Sequence, residues 1–284
     1  MINLIVKIGV NKNIDKARKI INKYLPGKKI KVQEEGLGNI KFFTLVENKI
    51  LPKKEYNLDI PNIIMDIIFN IYFIDIINKK VYKERKDINN SEKDEITRLS
   101  VELLLDENNF FLEKEQLYSQ IKEYLLESPI IYIDGFIKFR IKELELLMDM
   151  VIDRGVEEFA LEKEYKEFIK ILQYFVEVQE PKYDLINIIF EDNDYLLLDE
   201  EDNILEKDFF KEIVEEIEPG GISKDDLLIS TLIVLAPNKI FIHLDEIYEN
   251  KEIVKIISSV FQDKVYFCFG CPKCIGKTKI KRGK

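Results

Sequence analysis

An apolar run of 18 residues, Ile60–Ile77, is the sequence feature that most restricts what this chain can fold into. A run of this length suits either a helix that crosses a bilayer or a helix at the centre of a core. Two carboxylates, Asp66 and Asp75, lie inside the run, and each would cost roughly 2.5–3.5 kcal/mol near the middle of a bilayer. Asn62, Asp66 and Asn70 recur every four residues and therefore share one helix face. The sequence predicts a core helix with one polar edge and no membrane span.

Composition narrows the class of protein. The chain has 284 residues, of which 46% are hydrophobic, enough for one large domain or two modest ones. Its 53 acidic and 43 basic residues give a formal net charge of −10, which argues against a protein whose main activity is to coat nucleic acid. The apolar start Met1–Val10 is short, and no small-residue cleavage site follows it. We therefore expect a cytoplasmic protein whose three cysteines are reduced.

Residues 1–58 have the pattern of a small sheet with one covering helix. Ile2–Val10 has the composition of a strand, and Asn13–Leu25 carries apolar residues at helical spacing. Two β-rich runs, Lys29–Glu34 and Ile40–Val46, flank a segment with two glycines, which is typical of a hairpin. The predicted order is β-α-β-β.

Residues 59–182 are predicted to be almost wholly helical, forming a bundle packed around isoleucine, leucine and phenylalanine. Ser91 predicts a helix start, because its Ser-x-x-Asp sequence resembles a capping box. Asp134 is placed to cap a helix that ends at Gly155, and a further helix fits Val156–Val178.

Residues 183–276 alternate between strand and helix patterns. The expected elements are a hairpin of Leu185–Phe190 and Tyr195–Leu198, a helix over Asp208–Ile217, a helix over Lys224–Leu235 capped by Ser223, a strand over Lys239–Leu244, a helix over Lys251–Phe261 and a strand over Lys264–Cys268. The last three form a β-α-β unit, whose strands are expected to be parallel. The predicted fold is therefore α+β: a small N-terminal β-α-β-β unit, a central helical bundle, a C-terminal α/β unit with a β-α-β element, and a tail over 277–284.

The three cysteines of the chain form one cluster, Cys268, Cys271 and Cys274, with C-x2-C-x2-C spacing. This spacing lets a tight loop direct three thiolates to one centre. The first half of a bacterial ferredoxin motif has the same spacing, but the position of its fourth cysteine holds Thr278. An iron–sulfur cluster would need another ligand or a second chain, so zinc is the preferred metal.

His243 is the only histidine, and zinc sites with three cysteines and one histidine are common. It is the fifth residue of the strand that starts at Lys239, and Cys268 is the fifth of the strand that starts at Lys264. If these parallel strands are neighbours with aligned starts, both side chains lie on one face about 4.8 Å apart. A slip of one residue would reverse that face. The predicted ligands are Cys268, Cys271, Cys274 and His243.

Two alternatives to a metal site stay open. A Cys-x-x-Cys sequence beside a β-α-β unit is also typical of a redox dithiol, which Lys273 and Lys277 would favour. The cysteines would otherwise be ordinary reduced thiols at the end of a strand, with His243 as a satisfied core residue. Motifs of phosphate-binding loops and nucleophile elbows are missing from the sequence.

The last eight residues form a basic tail. It carries Lys277, Lys279, Lys281, Arg282 and Lys284 and no acidic residue. Such charge asymmetry indicates an interaction with nucleic acid, an anionic lipid surface or an acidic partner, and a solvated tail is the alternative.

Four stretches resemble the YtxC-like family of sporulation proteins from endospore-forming Firmicutes. They are Asp134–Arg140, Glu162–Lys182, Asp225–His243 and Cys268–Cys274. The resemblance implies a role in sporulation, and it supplies no activity, substrate or catalytic residue. The leading hypothesis is a non-enzymatic protein that binds a protein partner and holds zinc at its C-terminal cluster. An enzyme using that cluster and a nucleic-acid-associated protein using the tail are the alternatives.

Overall fold

The computed structural model describes residues 3–26, 30–47, 59–140, 144–191, 194–205, 223–243 and 251–272. Over these residues the fold is α+β, as predicted, with two mixed four-stranded sheets. The chain divides into two compact units, Met1–Leu161 and Glu162–Lys284. The division into blocks 1–58, 59–182, 183–276 and 277–284 stays a prediction.

The first unit contains a sheet covered by helices. Its strands are β1 (Asn3–Val10), β2 (Ile30–Leu37), β3 (Ile40–Glu47) and β4 (Ile130–Tyr132). Its helices are α1 (Ile14–Lys23), α2 (Ile60–Ile67), α3 (Ile74–Glu84), α4 (Asn90–Leu105), α5 (Phe111–Glu127) and α6 (Ile133–Arg140), and α7 (Leu144–Val178) begins in it. The strand order is β2-β3-β1-β4, with β1 antiparallel to β3 and parallel to β4. The predicted β-α-β-β order is confirmed.

Strand β4 corrects the prediction that residues 59–182 are almost wholly helical. Its three residues pair with β1 through Lys7–Ile130, Ile8–Ile131 and Gly9–Tyr132. A strand of three residues is too short to show a period of two, so no local pattern predicts it. Its stability comes from pairing with a strand that lies more than 100 residues earlier.

The apolar run lies in the core of the first unit, as predicted. The segment Ile60–Glu84 is the one described helical stretch that is long and apolar enough, by length and composition, to cross a membrane. Ile63, Ile67 and Phe73 are nevertheless completely buried within the protein, which is the environment of a core helix. A π-helical turn over Ile68–Phe73 joins α2 to α3. The wider turn rotates the buried face around the helix axis, and the rotated face is still apolar because the run is apolar on most sides.

The polar edge of this helix is paired. The Tyr24 hydroxyl donates to Asp66 at 2.7 Å. Asp75 forms ion pairs with Lys12 and with Lys79. These partners explain how carboxylates are tolerated within an otherwise apolar segment.

Two predicted helix boundaries are wrong. Helix α4 begins after Asn89 rather than at Ser91, because Asn89 and Glu92 form a capping box in which each side chain accepts a backbone N–H of the other residue. Helix α7 runs through Gly155 without a break. A Cβ atom at Gly155 would lie 2.1 Å from Ser100 Oγ and 3.1 Å from Ser100 Cα. This glycine therefore permits close packing of α7 on α4 and does not end a helix.

The second unit contains the end of α7 and a second sheet. Its strands are β5 (Leu185–Glu191), β6 (Asp194–Leu198), β7 (Lys239–His243) and β8 (Val265–Cys268), and its other described helices are α8 (Lys224–Leu235) and α9 (Glu252–Phe261). The order is β6-β5-β7-β8, with β5, β7 and β8 parallel and β6 antiparallel to β5. The hairpin, the Ser223 cap and the parallel β-α-β unit are confirmed. The helix predicted over Asp208–Ile217 lies outside the described residues.

The two faces of the second sheet differ. Ile186, Ile188, Ile240 and Ile242 are completely buried and form a core with apolar residues of α7, α8 and α9. Because side chains alternate along a strand, the residues between them point to the opposite face. That face carries the polar residues from which the candidate site is built.

Replacing Gly155 with alanine tests the close approach of α7 to α4. The added methyl group would overlap Ser100 Oγ, and we expect a loss of about 1–3 kcal/mol in the free energy of unfolding. Urea denaturation measures this loss. Ser100→Ala removes the overlapping oxygen, so the same glycine substitution should cost less in that background. Gly36→Ala is the matched control, since a Cβ there meets nothing within 4 Å. Equal losses at Gly36 and Gly155 would contradict the packing explanation.

The hydrogen bonds between Tyr72 and Asn11 lead to a prediction for the stability of the fold at alkaline pH. The Tyr72 hydroxyl donates to Asn11 Oδ1 at 3.0 Å and accepts from the Asn11 backbone N–H at 3.2 Å. Burial, which disfavours the phenolate, raises the pKa of Tyr72 to about 12. An unfolded tyrosine ionises near pH 10. This contribution to stability is therefore complete below about pH 10 and is lost as the pH rises towards 12.

We expect the urea midpoint to fall between about pH 9 and 11.5, and to fall less steeply in Tyr72→Phe. Tyr174→Phe is the control, because Tyr174 is exposed. The difference between the slopes of the two variants is the measurement, since other groups also titrate in this range. Identical slopes would show that Tyr72 is not the group responsible.

Candidate metal centre

The register of β7 and β8 places His243 beside Cys268. The paired residues are Ile240–Val265, Phe241–Tyr266, Ile242–Phe267 and His243–Cys268. This is the aligned register that the predicted site required. Phe241 and Tyr266, two residues earlier on the same face, stack with their ring centroids 5.2 Å apart. The side chains of His243 and Cys268 consequently leave the sheet on one face and at one edge.

Cys271 completes a thiol–histidine cluster with these two residues. The potential ligand atoms of His243, Cys268 and Cys271 all lie within 4.8 Å of one another. Cys271 Sγ is 3.2 Å from His243 Nδ1. His243 is buried, whereas the two cysteines are half-buried thiols. The structure therefore brings together three of the four predicted ligands, and the fourth, Cys274, lies outside the described residues.

Asn187 contacts the other nitrogen of the histidine ring. Its Oδ1 lies 3.0 Å from His243 Nε2, and its Nδ2 donates to the backbone carbonyl of Asp199 at 3.1 Å. Since the Asn187 amide nitrogen is used by that carbonyl, the oxygen faces the histidine. An amide oxygen only accepts, so this contact is a hydrogen bond when Nε2 carries the proton. The lone pair of Nδ1 is then directed towards Cys271.

The carbonyl that orients Asn187 belongs to an ordered turn. The Asp199 carboxylate accepts the backbone N–H groups of Glu201 at 2.9 Å and Asn203 at 2.8 Å. It also accepts the Asn203 side-chain amide at 3.0 Å. Partial desolvation opposes ionisation, but these hydrogen bonds outweigh it and hold the pKa of Asp199 below its ordinary value. The turn thus holds the Asp199 carbonyl in place. The hydrogen bonds lead from this carbonyl through Asn187 to His243.

Asn187 was not predicted as a site residue. The available signal was one amide within the otherwise apolar run Leu185–Phe190, since asparagine is disfavoured in strands. In the sheet, Ile189 pairs with His243, and Asn187 is two residues earlier on the same face. The amide is therefore a diagonal neighbour of the imidazole. That relation depends on β5 lying next to β7, which no local pattern indicates.

The donor atoms fit zinc. Thiolates and imidazole are the soft and borderline ligands that zinc prefers, and bond lengths of about 2.3 Å to sulfur and about 2.0–2.1 Å to nitrogen place tetrahedral ligands roughly 3.5–3.8 Å apart. Ligand atoms that lie within 4.8 Å of one another can reach this geometry through shifts of about 1 Å or less. A histidine ligand whose second nitrogen donates to a fixed acceptor is also typical of metal sites.

The other predicted interaction element, the basic tail over 277–284, lies outside the described residues. Binding of nucleic acid or an anionic surface through this tail stays a prediction.

Comparison with known proteins gives the relationship of this chain. The model of the YtxC-like family matches residues 59–266, which is well over half of the chain. The protein YtxC of Bacillus subtilis (strain 168) is 23% identical over 153 residues, covering 54% of this chain and 53% of its own length. The chain thus spans about half the length of that curated relative. No solved structure matches. The family match includes His243 and Asn187 but ends before Cys268. The chain belongs to the YtxC-like family.

Proposed function

We propose that this protein acts in sporulation by binding a protein partner, and that its C-terminal sheet holds a structural zinc ion. The sporulation role is supported by the four resembling stretches and by membership of the YtxC-like family. The proposed ligands are His243, Cys268, Cys271 and Cys274.

The convergence of His243, Cys268 and Cys271 is the observation that carries the zinc proposal. His243 ends β7 and Cys268 ends the neighbouring β8, whereas Cys271 lies three residues further along the chain. A metal bound to all three would fasten the segment after β8 to the sheet edge. With Cys274 as a fourth ligand the coordination shell would be closed, which is characteristic of structural zinc. A closed shell leaves no position for a substrate, and this favours binding over catalysis.

Elemental analysis of protein purified without added metal tests the proposal. We expect about one zinc per chain in the wild type and a loss of most zinc in Cys268→Ser, Cys271→Ser and Cys274→Ser, because a hydroxyl is a poor replacement for a thiolate. Ser258→Ala is the matched control. It removes a small polar group of the same unit, whose hydroxyl bonds the Val254 carbonyl, and should retain zinc.

Less than about 0.1 zinc per chain, together with three titratable thiols, would overturn the zinc proposal. Full zinc in Cys274→Ser alone would keep the three-residue cluster but remove Cys274 as a ligand. The site would then have an open position, and catalysis by the metal would become the better explanation.

One observation favours a second function, thiol–disulfide chemistry in the metal-free protein. Cys271, His243 and Asn187 form a chain of nucleophile, base and orienting group, as in cysteine enzymes. His243 Nδ1 would accept the Cys271 proton, and the thiolate would attack a substrate disulfide and release one substrate thiolate. The imidazolium would return that proton to the released thiolate, and Nδ1 would then accept the proton of Cys268. The Cys268 thiolate would attack the Cys271 sulfur and leave a Cys268–Cys271 disulfide, and the second substrate thiolate would depart and take the proton from His243. The two electrons pass from the dithiol to the substrate.

The alkylation rate of Cys271 by iodoacetamide tests this second function in zinc-free protein at pH 6.5. If His243 accepts the Cys271 proton during the attack, Cys271 should react about 10- to 100-fold faster in the wild type than in His243→Gln. Mass spectrometry of the alkylated peptides measures Cys268 and Cys271 separately. Equal Cys271 rates in wild type and variant would exclude the histidine as an activating base.

A further inference from the structure

We infer that Asn187 is a positioning residue, which holds the imidazole of His243 with Nε2 protonated and Nδ1 directed at the cysteine sulfurs. This orientation of the ring does not depend on a bound metal. Its consequence for metal affinity rests on the proposed zinc site.

The burial of both side chains makes their polar atoms mutually dependent. His243 and Asn187 are each only 6% exposed. Rotation of the Asn187 amide would direct its Nδ2 at the imidazole and its oxygen at the Asp199 carbonyl, so two acceptors would meet. Rotation of the imidazole ring would remove its nitrogen from Asn187 Oδ1. Buried polar groups without partners are strongly disfavoured, so one orientation of each group is retained.

This orientation decides which histidine nitrogen a metal meets. A ring nitrogen binds a metal only through a free lone pair, and the hydrogen bond at the other nitrogen selects the tautomer. With Nε2 donating to Asn187 at 3.0 Å, the lone pair of Nδ1 lies on the side of Cys271, 3.2 Å away. The imidazole would therefore reach the metal without prior rotation or proton transfer. Asn187 acts through His243 and is not itself proposed as a ligand.

The positioning role of Asn187 can be tested separately from the pairing of its strand, because it depends on the side chain alone. Asn187 pairs with Phe241 in the β5–β7 ladder, and leucine or aspartate at this position would retain that backbone pairing. Asn187→Leu keeps the same branched arrangement of four side-chain heavy atoms and removes both side-chain hydrogen bonds. Asn187→Asp keeps an acceptor for Nε2–H and loses the donor to the Asp199 carbonyl. The two variants therefore distinguish the acceptor function from the presence of a polar side chain.

Nitrogen NMR of the ring gives a direct measurement, because the chain has one histidine and selective labelling yields one pair of ring signals. In zinc-free wild type at neutral pH we expect an unprotonated Nδ1 and a protonated Nε2 whose proton exchanges slowly with water. In Asn187→Leu that proton should exchange at least about tenfold faster, while Asn187→Asp should retain slow exchange. A protonated Nδ1 in the wild type, or unchanged exchange in Asn187→Leu, would overturn the inference.

Zinc affinity tests the consequence for the metal in the same variants, by competition with a chromophoric chelator. Loss of an outer hydrogen-bond partner lowers metal affinity about 10- to 100-fold, and we expect this loss in Asn187→Leu and a smaller one in Asn187→Asp. Thr231→Val is the matched control. It removes another buried side-chain hydrogen bond of this unit, to the Leu227 carbonyl, and should leave both affinity and exchange unchanged.

The ring NMR and the zinc affinity together distinguish a failure of this inference from a failure of the proposed function. A wild type that binds no zinc would end the zinc proposal, yet the ring measurement would still confirm or overturn the role of Asn187. A wild type that binds zinc, with Asn187→Leu within twofold of its affinity, would overturn the role of Asn187 in metal binding. If Asn187→Leu does not fold, Asn187→Asp decides, since fast Nε2–H exchange in that variant would contradict the assigned acceptor.

Discussion

The ladder between β7 and β8 places His243 and Cys268 side by side, and the rest of the candidate site is arranged around this pair. Its last pair is His243–Cys268, and a slip of one residue would place the two side chains on opposite faces. A slip of β7 is opposed by the buried face, where Ile240 and Ile242 are fully enclosed and would have to move to the opposite face. The chemistry on one face of the sheet is therefore maintained by hydrophobic burial on the other.

The single histidine connects three separate parts of the second unit. Its Nε2 contacts a side chain of β5, its Nδ1 contacts a residue beyond β8, and its backbone belongs to β7, the strand between them. The Asp199 turn extends the same chain to the end of β6. A change in any of these hydrogen bonds would be felt at the imidazole, because a buried ring has few alternative partners. His243 thus links β5, β7 and the segment after β8, which are distant from one another in sequence.

The sequence predicted what depends on local chemistry. The Ser223 cap is an example, because a serine, its acidic partner and the first helical turn are consecutive. The parallel β7–β8 pair was predictable because a short crossover leaves few alternative topologies. Strand β4 was not, since its three residues gain stability only from distant β1.

Gly155 and Asn187 show two other limits of local patterns. Glycine often ends helices, but here its missing side chain makes room for Ser100, and only the packed structure distinguishes the two roles. Asn187 was visible as a polar residue in an apolar strand. Its position beside His243 follows only from the strand order, which places β5 beside β7.

The two functions considered for the thiol–histidine cluster are linked by the lone pair on His243 Nδ1. That lone pair can coordinate a metal or accept the proton of Cys271, and it cannot do both at once. Metal binding also requires the thiols to release their protons, so occupancy rises with pH and with available zinc. Thiolate sulfur bound to zinc is at the same time withdrawn from attack on a disulfide. The same geometry would therefore serve a structural site with zinc bound and a reactive thiol with zinc removed, and the zinc affinity would decide which state prevails.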